Sequence, residues 1–415
     1  MPSLTAKPLR ILVVTQYFRP EAFRVNDLVD GLRERGHAIT VLTGLPNYPS
    51  GRFAEGYGLS GPYREQTEGV EIVRVPLVAR GGAGTIRLAL NYLSFAFFAT
   101  LLGPMRCRSN FDAIFVFEIS PITAAIPAIA LRRLRGTPLF LWVQDLWPES
   151  VSATGAIRAD WILRWVERLV RFIYGHSDEI LVQSMAFVPR VQQLAPAKAV
   201  IRYLPNWAEP GYQPVPPGPS ARAELPSGFR IVFAGNIGAA QSFETILAAA
   251  NLVRENAEIQ WVVFGDGRRR PEVERRIVEL GLSATVRLMG RRPAESMPEY
   301  LALADVLLVT LQRDPIFALT IPSKIQSYLA CAKPILAALD GEGARIVREA
   351  GAGLVVAAED ASGLAESALR LFRMSGPGRD EMGRSGRRYF ESHFSRATLL
   401  DQLEGWMKQR AGNPA

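Results

Sequence analysis

Short runs rich in β-branched and aromatic residues alternate with helical stretches from one end of this chain to the other. That alternation admits few folds besides parallel α/β sheets. In the first half the runs are Ile11–Thr15, Ile39–Thr43, Val70–Pro76, Ala113–Phe117, Leu139–Val143 and Glu179–Gln183. Between them lie helical stretches such as Asn26–Arg35, halted by Gly36 as a helix C-terminus is. Another, Trp161–Tyr174, sets Trp161, Trp165, Leu169 and Phe172 on one face. The texture breaks at Pro205–Pro226, where Pro210, Pro214, Pro216, Pro217 and Pro219 argue against helix or central strand and for a linker. Beyond it the alternation resumes with Arg230–Ala234, Gln260–Phe264, Thr285–Met289, Val306–Thr310, Pro334–Ala338 and Leu354–Val356. A length of 415 residues suits two cores better than one. The expected organisation is a Rossmann-like domain over 1–205, a proline-rich linker over 206–228 and a second Rossmann-like domain over 229–390. The segment 391–415, with an amphipathic helix at Thr398–Gln409, is expected to pack back on the first domain.

Composition narrows the function. A charged fraction of 21% against 48% hydrophobic residues is that of a globular chain, which removes global disorder. Cys107 and Cys331 stand alone and form neither a disulfide framework nor a CxxC pair, which fits a reducing compartment. His37, His176 and His393 are too scattered for a zinc site. The first apolar run reads as a strand and not a signal peptide. A formal charge of +8 favours anionic partners: nucleotide phosphates, acidic lipid headgroups or nucleic acid. The clustered aromatic and basic pattern of RNA-binding sheets is missing, so nucleic acid is not expected.

The second half carries the phosphate chemistry. Arg230–Ala234 runs into Gly235-Asn236-Ile237-Gly238 and then a helix, a turn that presents main-chain N–H groups to an anion or serves only as a turn. Gly265-Asp266-Gly267 follows the next strand, where a tight strand-to-helix turn is the favoured account of Asp266 over a ligand. No Asp-x-Asp metal motif accompanies them. In Thr320-Ile321-Pro322-Ser323-Lys324, Thr320 can cap a helix and Pro322 suits its first turn. Lys324 then sits where the helix macrodipole disfavours a cation, which points to a phosphate in the same place, or else to a snorkelling surface lysine.

Ser327-Tyr328-Leu329-Ala330-Cys331-Ala332-Lys333-Pro334-Ile335 resembles the donor-site stretch of retaining glycosyltransferase family 4, and the glycine turns fall in that family's order. Gln16-Tyr17-Phe18-Arg19-Pro20-Glu21, Thr43-Gly44-Leu45-Pro46-Asn47-Tyr48-Pro49, Gln144-Asp145-Leu146-Trp147-Pro148-Glu149-Ser150 and Asp340-Gly341-Glu342 resemble the colanic-acid and O-antigen subgroup, which includes N-acetyl-L-fucosamine transferase candidates. The resemblance implies a GT-B fold, two Rossmann-like domains facing each other across a cleft. It implies a nucleotide-sugar donor, usually UDP-linked, held by the C-terminal domain without an essential metal or other cofactor. The acceptor is then a polyprenyl-diphosphate-linked saccharide bound by the N-terminal domain. The family's paired glutamates would fall near Leu319 and Ser327 and are missing, and its phosphate-binding lysine is replaced by Gln241.

The donor residues implied are thus Gly235, Asn236, Gly238, Gln241, Gly265, Asp266, Ile321, Ser323, Lys324 and Glu342. Lys324 supplies the displaced charge and Glu342 a carboxylate for ribose or sugar hydroxyls. Asp145 and Glu118, at strand ends, are the candidates for taking the acceptor's proton or steadying charge at the anomeric carbon, with a helix-capping role for Asp145 as the alternative. Arg19, Glu21, Asn47 and Tyr48, on loops after strands, are the candidate acceptor readers. From Leu88 to Met105 no residue is charged, and Arg87, Arg106 and Arg108 flank the run. It reads as a buried helix or one lying on the inner face of the cytoplasmic membrane, since a span would split strands of one sheet. Trp161, Arg164, Trp165, Arg168 and Arg171 read as a second basic and aromatic surface or as a core-packed helix with solvated arginines. The rival readings are a GT-B epimerase or phosphorylase, and a non-catalytic nucleotide-sugar or RNA-binding module.

Overall fold

A computed structural model describes residues 7–82, 84–150 and 159–412. The chain forms two compact units, Met1–Pro205 with Ala397–Ala415, and Asn206–Arg396.

In the first unit the chain runs β1 (Arg10–Val14), α1 (Arg24–Glu34), β2 (Ala38–Gly44), β3 (Arg64–Thr67), β4 (Val70–Val75), α2 (Thr85–Arg106), β5 (Ala113–Glu118), α3 (Ile126–Arg135), β6 (Leu139–Val143), α4 (Asp160–Gly175), β7 (Glu179–Val182), α5 (Val188–Leu194) and β8 (Val200–Tyr203). The sheet order is β3-β4-β2-β1-β5-β6-β7-β8, parallel except that β3 pairs antiparallel with β4. β1 and β5 are apolar on both faces and buried along nearly their whole length, as central parallel strands must be when helices cover both sides. From β1 the chain first steps outward to β2. From β4 it crosses to β5 and then advances steadily the other way. The direction reverses between β1 and β5, which makes that edge the ligand-binding position of such a sheet.

The second unit runs α6 (Pro219–Glu224), β9 (Phe229–Ala234), α7 (Phe243–Leu252), β10 (Ile259–Phe264), α8 (Arg270–Glu279), β11 (Val286–Gly290), α9 (Met297–Ala302), β12 (Val306–Thr310), α10 (Pro315–Leu319), α11 (Ser323–Ala330), β13 (Ile335–Ala338), α12 (Gly341–Glu349), β14 (Gly353–Val356), α13 (Ala361–Arg373) and α14 (Gly376–His393). All six strands are parallel, in the order β11-β10-β9-β12-β13-β14, with the reversal between β9 and β12. Alternate residues feed two cores. Val232, Val262 and Leu307 join one, and Ile231, Phe233, Trp261 and Leu308 the other.

Two expectations need correction. The Pro205–Pro226 stretch is not all irregular: Pro219 opens α6 at a position where its missing N–H costs nothing, and Ala221 and Leu225 enter the second unit's core. The strands β3 and β8 escaped the sequence pattern, β3 because its Arg-Glu-Gln-Thr edge has no apolar alternation.

The last helix, α15 (Arg396–Gly412), buries Leu399, Leu400, Leu403 and Met407. It is tied to the first unit by ion pairs Arg35–Asp401 (3.0 Å) and Arg410–Glu179 (2.9 Å). Glu179 is almost wholly buried and also paired with Arg202 at 2.6 Å, so its charge is fully countered.

Candidate donor and acceptor sites

In the second unit, the loops leaving β9 and β12 meet at the reversal point. Thr310 Oγ1 donates to the Gln241 carbonyl (2.6 Å) and the Gln312 N–H to the Ala240 carbonyl (2.9 Å). The glycines are required by close approach. A Cβ on Gly265, at φ +130°, would lie 1.8 Å from the Gly235 carbonyl oxygen, and one on Gly267 would lie 2.2 Å from that of Ile237. Gly265→Ala should therefore destabilise the second unit by on the order of 3 kcal/mol, a fall in Tm of roughly 5–10 °C by calorimetry.

A Cβ on Gly235 would lie 2.5 Å from Lys324 Cε, so this turn also makes room for the lysine. Lys324 stands in the first turn of α11. Its Nζ donates to Gln241 Oε1 and sits 4.4 Å from the Phe233 ring centre. Among the described residues no carboxylate pairs with it. Part of the residue stays open to solvent, yet burial of the ammonium lowers its pKa to about 7. A desolvated cation with no anion beside it is costly, and an anionic ligand would relieve that cost.

The surrounding helix ends agree. The α11 N-cap is Pro322, without a side-chain cap, so the amides of Ser323 and Lys324 have no intrahelical acceptor. Thr320 was expected to cap this helix but closes the preceding one: its Oγ1 donates to the Ile316 carbonyl at 2.9 Å. Ser242 begins α7 with φ +45°, a strained conformation for serine, and makes no cap. The Asn236 side chain folds back beside Gly238 and Gly267. Ile321 is buried, and Asp266, half exposed, accepts from the Gly267 N–H. Glu342, in the first turn of α12, is buried and gripped by Arg345 through two bonds of 2.6 and 3.0 Å, so only its remaining lone pairs could meet a hydroxyl.

In the first unit, Glu118 ends β5 and Asp145 follows β6, on adjacent strands. Glu118 is fully buried and neither carboxyl oxygen has a hydrogen-bond partner. Burial, and then the nearby Asp145 charge, hold its pKa well above the usual range. Asp145 is only partly buried and accepts from Ser120 Oγ at 3.1 Å. Burial raises its pKa too, against that hydrogen bond. The two carboxyls thus differ in setting: Glu118 is enclosed and held further toward its neutral form by burial, while Asp145 is partly accessible and bonded to Ser120.

The expected acceptor readers separate. Glu21 is buried, and its carboxylate accepts from the Phe18, Asn47 and Tyr48 N–H groups at 3.2, 2.8 and 2.7 Å. Asn47 is equally buried and bonded to Leu45, Arg80 and Asn91. Both build the loop and neither is free to read a ligand. The Arg19 guanidinium is held by Asp30 and Glu68. Tyr48 does reach solvent, with its ring 5.2 Å from Phe23 and 5.7 Å from Tyr17, and the Arg80 guanidinium 5.4 Å above it. Tyr92 feels the charges of both Arg80 and Asp145. Arg80 and Tyr92 were not singled out from the sequence, where nothing sets them apart, and Tyr17 entered only as part of the Gln16–Glu21 motif.

Comparison with known proteins defines the class. Residues 22–207 match the family described as "Glycosyl transferase 4-like domain", and residues 228–374 match "Glycosyl transferases group 1". The Pseudomonas aeruginosa protein named "Probable glycosyltransferase WbjE" is 33% identical over 230 residues, 54% of this chain and 57% of that one. This chain thus spans a little over half the length of that relative. A candidate colanic acid biosynthesis glycosyl transferase of Escherichia coli K12, WcaI, is 23% identical over 336 residues, 78% of this chain and 81% of that one. Among solved structures, sucrose-phosphate synthase of Thermosynechococcus elongatus superposes with a TM-score of 0.73 at 17% identity, covering 97% and 98% of the two chains. Anabaena HepE, solved with UDP and glucose, gives 0.67 at 15%, covering 96% and 99%. The fold is GT-B, and the chain carries both glycosyltransferase domain types in sequence.

Proposed function

We propose that this enzyme transfers a sugar from a nucleoside diphosphate donor, UDP-linked, to a polyprenyl-diphosphate-linked saccharide, with retention of configuration, in the synthesis of a bacterial surface polysaccharide. The observation that carries the reading is Lys324: a desolvated ammonium without a carboxylate, beneath a glycine turn at the point where the sheet order reverses. The HepE structures with UDP support the donor class, and the name of WcaI supports surface polysaccharide as the product. We assign no metal or cofactor. The charge of the leaving diphosphate falls to Lys324 and the amides near Gly238 and Ser323. The acceptor binds the first unit, where Asp145 takes its proton or steadies the charge at the anomeric carbon. The enzyme works in the cytoplasm, at the inner face of the membrane, and engages no nucleic acid.

A thermal-shift screen of the full chain against nucleoside diphosphates and their sugars tests the donor. UDP or a UDP-sugar at 100 times its Kd should stabilise by about 2.7 kcal/mol. If no nucleoside diphosphate shifts the transition, the reading fails. Incubating the donor without acceptor distinguishes transfer from epimerisation.

A further inference from the structure

We propose that the first unit docks on an anionic bilayer through the face made by α2, α3 and α4, lying in the headgroup region without crossing it.

Three observations meet here. First, α2 carries a continuous outward stripe, Ile86, Leu90, Leu93, Phe97, Leu101 and Met105, each at least 50% exposed and spaced as one side of a helix. Soluble monomers seldom leave such a row to water. Second, the inward side of the same helix is built into the unit. Asn91, Phe95, Ala96, Ala99 and Gly103 are buried, and Asn91 bonds Gln16 (2.7 Å) and the Val78 carbonyl (2.7 Å). Arg106 donates to the Arg74 carbonyl at 2.6 Å. The helix is long and apolar enough to span a membrane, but spanning would strip these contacts and split the sheet, so only its outer face is offered. Third, the neighbouring helices continue the face. The connections β4 to β5, β5 to β6 and β6 to β7 all advance the same way across the sheet, which places α2, α3 and α4 in one layer. Arg135 of α3 donates to the Pro104 carbonyl beside the end of α2, and Arg133 lies 5.6 Å from the Phe172 ring of α4. Leu134, Trp161 and Trp165 are each more than 60% exposed in this layer.

Charge selects the occupant. The three helices carry eight arginines against two carboxylates, and one of these, Glu167, is already paired with Arg171 and Arg190. Exposed tryptophans with arginines around an apolar stripe are the chemistry of a headgroup interface. The inference shares with the proposed function a lipid-linked acceptor but needs neither donor nor acceptor to be tested, so the two can fail separately.

The test is flotation of the full chain with phosphatidylcholine vesicles, with and without phosphatidylglycerol, at low and high salt. The wild type should float with anionic vesicles and less so in high salt. Combining Leu93→Ser, Phe97→Ser and Leu101→Ser should lower partitioning at least about tenfold with an unchanged melting curve, since all three side chains are outside the core. Trp161→Ser with Trp165→Ser, on another helix, should also lower it. Arg164→Gln with Arg168→Gln should cost binding only to anionic vesicles at low salt. Wild type that floats with no vesicle overturns the proposal. So do variants that float like wild type, or a solution dimer broken by the α2 substitutions while flotation is unchanged, since a second copy would then own the face.

Discussion

Asp145→Asn is expected to lower kcat by about 10²–10⁴-fold while leaving the Kd for the donor nucleotide within about twofold, as measured by steady-state transfer and calorimetric titration. Asparagine keeps an oxygen to accept from Ser120 Oγ, so the change removes charge and basicity without disturbing the loop. The proposed donor groups all lie on the second unit, which is why binding should be spared. Glu118 gives the contrast. Burial holds its carboxyl toward the neutral form that glutamine mimics, so Glu118→Gln should change kcat by less than about tenfold at neutral pH. Its stability effect has a definite sign. A folded pKa raised above the ordinary 4.5 means that folding takes up a proton as pH rises through that value, so the wild type loses stability from there upward. Glutamine escapes that loss. The variant should melt higher than wild type at neutral pH and show no such gain below pH 4.5. Equal, severe losses of kcat in both variants would mean that the pair acts as one group sharing a proton, and the division of roles would be wrong.

Much of the scaffold was legible in the sequence because parallel strands buried on both faces leave dense apolar runs, and twelve such runs mark strands that form. The strands that escaped are edges: β3 is polar throughout, and Val200–Tyr203 of β8 is half-buried along its length. Helical spacing grouped Trp161, Trp165 and Phe172 on one face, but spacing cannot tell inside from outside. The opposite residues Val170, Ile173 and Tyr174 are the buried ones. Lys324 stands out in the sequence because a cation at a helix N-terminus contradicts the local electrostatics and so demands a reason. Arg80, Tyr17 and Tyr92 break no local rule and gain meaning only when the fold brings two loops and helix α2 together. Glu21 and Asn47 erred in the opposite direction: polar residues on loops after strands look like ligand readers, and here their polarity is consumed by backbone N–H and carbonyl groups.

Lys324→Met should weaken UDP binding about 10–100-fold, the worth of one charge-assisted contact to phosphate. The pH dependence makes the assignment specific. With the free ammonium's pKa near 7, binding a phosphate raises it, so the wild-type complex takes up a proton above that pH. Affinity should therefore fall by up to tenfold per pH unit from about 7 toward 9. Below pH ~6 the ligand's own terminal phosphate begins to protonate, so the window to examine lies above it. The unliganded protein should behave the other way. Folding a lysine whose pKa drops from 10.5 to about 7 releases a proton, so the cost is complete below 7 and is relieved as pH rises toward 10. Wild-type melting temperature should thus climb with pH while UDP affinity declines, two opposed trends from one amine. Methionine fills the same space without the charge and should abolish both. A variant that loses affinity but keeps the pH slope would place the titrating cation elsewhere. One that keeps both affinity and slope would remove Lys324 from the donor site altogether.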